Sequence, residues 1–278
     1  MYPSLSLAFS PCPNDTFIFN ALVNGMTRPD GFSLSEVHYE DVETLNLWAM
    51  SAEMDITKLS FHALGHVLDS YELLCSGSAL GRGCGPLLVC KKGARFSSPK
   101  AVAIPGRFTT ASLLLKMCFP EFTQLKEMRF DQIMPAIVSG SVEAGVIIHE
   151  SRFTYRQHGL ELVQDLGLWW EETTGFPIPL GGIAVRKDLG PELIAKIDGS
   201  VRQSLQWARQ NPEKCHDYIK RYAQELDDTV IANHINLYVN DFSVNLGHEG
   251  LAAIHEFLDR GYGCGAFPGR ASQVCLKC

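Results

Sequence analysis

The chain has 278 residues, enough for two compact lobes or one large domain, and its 46% hydrophobic and 20% charged content excludes a disordered polymer and a staple-dependent miniprotein. Lys and Arg number 24 against 31 Asp and Glu, a net charge of −7 with no basic run, so nucleic acid and anionic membrane surfaces find no electrostatic handle. No apolar stretch approaches the roughly 18 residues of a membrane span, and the start, Met1 to Ser4, lacks a basic residue before Pro11 and Pro13 interrupt it, so neither a membrane segment nor secretion is expected.

In chain order, Leu5 to Phe9 reads as a strand, Asp15 as the cap of a helix reaching about Val23, and Gly25 as its stop. Ser33 to Tyr39 alternates as a strand, Asp41 caps a helix carrying Val42, Leu45 and Leu47 or Trp48, and Ile56 to Leu59 is a short strand ending at Ser60. Pro86 to Cys90 is apolar, and Lys91 to Pro99 is a polar connection, placed as a boundary between lobes. Beyond it come a strand at Ala101 to Ile104, a Pro-Gly turn, an apolar helix from Thr109, a strand near Glu127 to Phe130, a helix near Ile133 to Ser139 and a strand at Ala144 to Ile148. Gly182 to Val185 is the last strand, and helices follow at 191–210, 213–222, 229–239 and 249–260. The alternation predicts βαβ units with mostly parallel sheets, and the late helices are expected to return to the first lobe near Arg186. The division is therefore 1–91 with 186–278, and 92–185.

Nine Cys, an odd number scattered from Cys12 to Cys278, read as reduced thiols. Cys275 and Cys278 have CxxC spacing with Cys264 upstream, but a paired second half is missing, so no metal site is predicted.

Three strand ends share a chemical character. Ser10 to Thr16 with Asn14, Lys58-Leu59-Ser60, and Pro105 to Thr110 each carry polar side chains into a helix start. Free N–H groups there suit a carboxylate or phosphate, and open α/β sheets bind ligands at such ends. Asp15, Ser60 and Thr109 could each be only a helix cap, but three such ends together favour a ligand cleft. His149 closes an apolar run, which brings its imidazole to a strand end as a candidate base or as a hydrogen-bonded core histidine. His62 and His66 lack a further ligand and read as a helix surface; Gly81 to Gly85 lacks the Lys-Ser/Thr of a P-loop and reads as a turn; Trp169-Trp170 reads as packing.

The segments Ser10 to Phe17, Asp41 to Asn46, Thr57 to Ser60, Gly81 to Leu87, Pro105 to Ala111 and Gly145 to Tyr155 resemble those of the 1,4-dihydroxy-6-naphthoate synthases of the futalosine route to menaquinone. The resemblance runs from about Leu5 to Val239 and does not extend to the Cys-bearing tail after Gly261. It implies a type II periplasmic-binding-protein-like fold, two α/β lobes around a cleft with two crossings, used as a cytoplasmic enzyme. It also implies cleavage of cyclic dehypoxanthine futalosine, an aromatic carboxylate, to 1,4-dihydroxy-6-naphthoate and dihydroxyacetone without a cofactor. By that likeness His149 accepts the proton, and Lys58, Leu59, Ser60, Thr109 and Thr110 line the site. A solute-binding protein of the same fold and chorismate dehydratase remain rivals, the latter opposed by Pro-Cys-Pro-Asn-Asp and Ile-Ile-His-Glu-Ser-Arg. Oligomeric state stays open.

Overall fold

The computed structural model describes residues 2–94, 101–149, 151–223 and 226–267. The first sheet is assembled from β1 (Ser4–Phe9), β2 (Ser33–Tyr39), β3 (Ile56–Ser60), β4 (Tyr71–Leu73) and β5 (Ala79–Gly81), joined by α1 (Pro13–Val23), α2 (Val42–Met50) and α3 (Phe61–Val67). The second contains β6 (Leu87–Lys91), β7 (Val102–Ile104), β8 (Leu125–Glu127), β9 (Ala144–Ile147) and β10 (Leu160–Asp165), with α4 (Thr110–Cys118), α5 (Phe130–Ser139), α6 (Ser151–Thr154) and α7 (Leu166–Thr174). Then β11 (Ile178–Arg186) rejoins the first sheet, and α8 (Pro191–Gln210), α9 (Pro212–Tyr222), α10 (Asp228–Tyr238), α11 (Asp241–Val244) and α12 (Gly247–Gly263) follow.

Strand order is β2-β1-β3-β11-β4, with β5 also on β11, in one sheet and β10-β6-β9-β7-β8 in the other. Both sheets are mixed, which corrects the expectation of mostly parallel pairing. The βα units β1, β2 and β3 are parallel, as are β9, β7 and β8, whereas β11 and β6, the strands adjoining the crossings, run antiparallel to their neighbours. The lobe boundaries shift for the same reason. Since β6 belongs to the second sheet and β11 to the first, the chain crosses before Leu87 and again between β10 and β11, not at 91/92 and 185/186. Lys91 and Val102 thus lie on strands of one sheet, and the polar composition between them in the sequence does not say whether a connection changes lobes.

The expected return of the late helices holds for α8, α9 and α10, which pack on α1, while α12 packs on α3, α4 and β11 and so touches both lobes. Phe9 stacks on Phe19 at 4.4 Å, and Ile197, Val201 and Leu205 of α8 close that core. A larger apolar cluster runs from Leu59 and Phe61 through Leu88, Val146 and Leu114 to Trp170 and Phe257, beneath both sheets. Trp170 is fully buried with its indole N–H on the Pro177 carbonyl, the packing role expected of it.

Local chemistry explains several departures from the expected elements. The first helix is entered through Cys12 and Pro13, and Asp15, instead of capping, turns inward to Lys58. Phe130 opens α5 and is not part of a strand. Asp41 does cap α2, accepting from the Glu43 and Thr44 N–H groups. Cys12, Cys84, Cys90, Cys118, Cys215 and Cys264 are outside any disulfide, but Cys75 is disulfide-bonded, so the reading of all nine as reduced thiols fails there. Cys275 and Cys278 lie outside the described residues.

Candidate active site

A cavity opens where the C-terminal ends of β1, β3, β7 and β9 face one another across the two sheets, with about 690 Å³ of empty space when its opening to solvent is counted. Asn14, Lys58, Leu59, Ser60, Thr109, Thr110 and His149 all line it, together with Ser10, Asp15, Leu180, His234 and Tyr238. Every sequence-predicted site residue thus meets in one place.

Lys58 and Ser60 share a face of β3 by strand alternation, whereas the Leu59 side chain joins the apolar cluster. Lys58 Nζ lies 2.7 Å from Asp15 Oδ1 and 3.1 Å from the Gly77 carbonyl. Asp15 Oδ2 accepts from Ser10 Oγ at 2.7 Å, and Asn14 Nδ2 donates to Asp15 Oδ1 at 2.8 Å. Asn14 Oδ1 in turn meets His234 Nε2 at 2.9 Å. One buried chain therefore links ammonium, carboxylate, amide and imidazole.

Ser60 occupies the cap position before α3 without capping it. Its N–H donates to Asn46 Oδ1 at 2.9 Å, and its hydroxyl accepts from Asn46 Nδ2 at 3.3 Å, leaving the hydroxyl hydrogen available. Thr109 is the cap of α4, with its hydroxyl receiving the Ser112 N–H and donating to the Gly106 carbonyl. Thr110 Oγ1 donates to the Leu180 carbonyl at 2.6 Å, so that hydroxyl hydrogen is already committed. What the first turn of α4 offers the cavity beyond these hydroxyls is its main chain: Thr110 and Ala111 line the cavity at the positive end of the helix.

The first turn of α4 is held from the opposite lobe by three groups. Leu180 is one. The Phe108 N–H donates to both carboxylate oxygens of Glu43, at 2.9 and 3.2 Å, and His62 Nδ1 donates to the Thr109 carbonyl at 3.1 Å. Gly106 has φ +149°, and a Cβ there would sit 2.4 Å from Glu43 Cδ, so only glycine leaves room for the carboxylate. Burial raises the Glu43 carboxyl above its ordinary range, against the Phe108 N–H and the Asn46 amide, which favour the anion. His62 is buried, not the surface residue expected, because its imidazole fills this joint; burial lowers it to about 4.

His149 follows β9, the middle strand of its sheet, with the left-handed backbone φ of +57°, a strain of about 1–2 kcal/mol for a non-glycine residue. Its Nδ1 is 3.4 Å from Cys12 Sγ, and Phe130 meets the ring edge-on at 4.9 Å, so Nε2 is the nitrogen left for the cavity. Its exposed portion faces the cavity, and burial lowers its pKa to about 4, with Asp15 opposing the shift and Lys58 reinforcing it. The imidazole is neutral at neutral pH and can accept a proton.

Cys12, Glu43, Asn46 and His234 had no predicted role. Glu43 and Asn46 fall within the segment Asp41 to Asn46, and His234 occupies the helix face of Ile231 and Tyr238; a polar residue on an apolar stripe was the signal for it. Among the described residues no group of three or more His, Cys, Asp or Glu could hold a metal ion, and no helix is long and apolar enough to cross a membrane.

A menaquinone-biosynthesis family model matches residues 5–263. A protein of Thermus thermophilus named 1,4-dihydroxy-6-naphtoate synthase is 51% identical over 251 residues, covering 90% of this chain and 91% of that one. Its namesake from Streptomyces coelicolor is 41% identical over 270 residues, 95% of each. Among solved structures, an Archaeoglobus fulgidus protein has a TM-score of 0.88 at 35% identity, covering 94% of this chain and 98% of its own. A Candida albicans protein described as having the generic periplasmic binding protein fold gives 0.70 at 13% identity, covering 98% and 95%.

Proposed function

The chain belongs to the menaquinone-biosynthesis family of 1,4-dihydroxy-6-naphthoate synthases, and from that premise we propose that it is a carbon–carbon lyase acting on cyclic dehypoxanthine futalosine, with His149 as general base. The observation that carries this reading is the setting of His149: a neutral imidazole at a strand end, Nδ1 against Cys12 and Nε2 on a cavity that also holds a helix N-terminus.

The substrate's aromatic carboxylate binds the Thr110 and Ala111 N–H groups, with the Ser60 hydroxyl as a further donor. Each hydrogen bond to the charged group is worth about 1.5–3 kcal/mol, and the carboxylate lies away from the bond that breaks. His149 removes a proton, a carbon–carbon bond cleaves, and closure of the naphthalene π system supplies driving force; the products are 1,4-dihydroxy-6-naphthoate and dihydroxyacetone. The Asp15 carboxylate favours the imidazolium so formed. No step calls for an electron acceptor. By the same family likeness the site of action is the cytoplasm.

Incubating the purified chain with cyclic dehypoxanthine futalosine and detecting the naphthoate by mass tests the activity. His149→Ala is expected to lower kcat by at least about 100-fold with an unchanged circular dichroism spectrum. Near-wild-type turnover in that folded variant refutes the assignment of the base.

A further inference from the structure

His234 stands in the cavity wall with its ring 6.3 Å from that of His149 and nearly parallel to it, at 22°. It is fully buried. Its protonation pattern follows from its neighbours. Asn14 Nδ2 faces Asp15 Oδ1, an acceptor already drawn to the Lys58 ammonium, so the amide cannot be reversed without setting its oxygen against the carboxylate. Asn14 Oδ1 consequently faces His234 Nε2, and that nitrogen must carry the hydrogen. Burial, reinforced by the nearby His149, keeps the ring neutral well below the ordinary histidine range. The remaining lone pair lies on Nδ1.

That Nδ1 is buried and has no hydrogen-bond partner among the described residues. A desolvated acceptor left unpaired is costly, and the chain spends four side chains, Lys58, Asp15, Asn14 and His234, on fixing this tautomer. We propose that His234 Nδ1 is a hydrogen-bond acceptor for a hydroxyl of the bound ligand, oriented by the chain Lys58, Asp15 and Asn14. The proposal rests on the naphthoate reading above and assigns His234 recognition of a hydroxyl, distinct from proton removal by His149.

The probes are 1,4-dihydroxy-6-naphthoate and 2-naphthoate, which share the carboxylate and ring system and differ in the hydroxyls. In the full chain labelled with 15N-histidine and held anaerobic, the dihydroxy acid should move the His234 Nδ1 resonance upfield from its unprotonated position, with Nε2 still protonated. 2-Naphthoate should leave it in place. By titration calorimetry, His234→Phe should weaken the dihydroxy acid roughly 2- to 10-fold and leave 2-naphthoate unaffected. Both acids binding with Nδ1 unmoved, as when water alone serves that atom, overturns the proposal and leaves the carboxylate site standing. Failure of both acids to bind overturns the naphthoate reading and this proposal with it.

Discussion

Replacing Lys58 with Met removes one charge from a pair that water scarcely reaches. The two side chains are 7% and 2% exposed and 2.7 Å apart, so among the described residues Asp15 would keep the Ser10 hydroxyl and the Asn14 amide for its negative charge. Stranding a buried charge in this way costs about 3–5 kcal/mol. At roughly 2–4 °C per kcal/mol for a chain of this size, the unfolding midpoint should fall by roughly 6–20 °C in differential scanning calorimetry. Two comparisons isolate the cause. Glu249→Gln breaks the Arg82 pair, whose side chains are 50% and 56% exposed, and should cost less than about 1 kcal/mol. Asp15→Asn added to Lys58→Met removes the stranded charge and should recover part of the loss. A Lys58→Met midpoint no lower than that of Glu249→Gln would refute the electrostatic account of this site.

Acidification is expected to destabilise the fold between about pH 6.5 and 4. His62 and His149 both have folded pKa values lowered to about 4 by burial, so in that interval the unfolded chain binds more protons; stability rises with pH there and is level above it. Each histidine accounts for up to about 3 kcal/mol at the acid end, and urea midpoints that do not change between pH 7 and 5 would contradict this. Gly106→Ala should lose about 1–3 kcal/mol, since its new Cβ meets Glu43 Cδ at 2.4 Å, and Glu43→Ala in the same chain should recover much of it; additive losses would argue against that contact. Thr110→Val removes the donor to the Leu180 carbonyl and keeps the main-chain N–H groups, so steady-state kinetics should show KM raised a few-fold and kcat changed less.

Helix α8 was legible to the residue because Pro191 opens it, Asn211 and Pro212 close it, and its apolar stripe has a helical period. The lining of the cavity was equally legible wherever a polar turn ended an apolar strand, as at Ser60, Thr109 and His149. Strand membership was not: β6 and β11 are apolar up to the Lys91 and Arg186 that end them, and nothing local says which of two sheets receives an apolar strand. Asp15 misled because a carboxylate near a helix start suits capping as well as a buried ammonium. His62 misled because a helix face exposed in one lobe alone becomes buried when the other lobe docks on it.

The insertion of β11 between β3 and β4 also governs the order in which the chain can fold as it is synthesised. β3 and β4 leave the ribosome early, but the strand between them begins at Ile178, roughly 100 residues later, a delay of roughly 5–20 s at ordinary elongation rates. During that interval β3 offers an unpaired edge, carrying Ile56 and Leu59, to any other extended segment. The second sheet, continuous from β6 to β10, has all its strands by Asp165 and is able to form first. A circular permutant opened after β10, so that β11 and the late helices emerge before β1, should close that edge as soon as β3 appears and give a higher soluble yield when trigger-type chaperones are depleted.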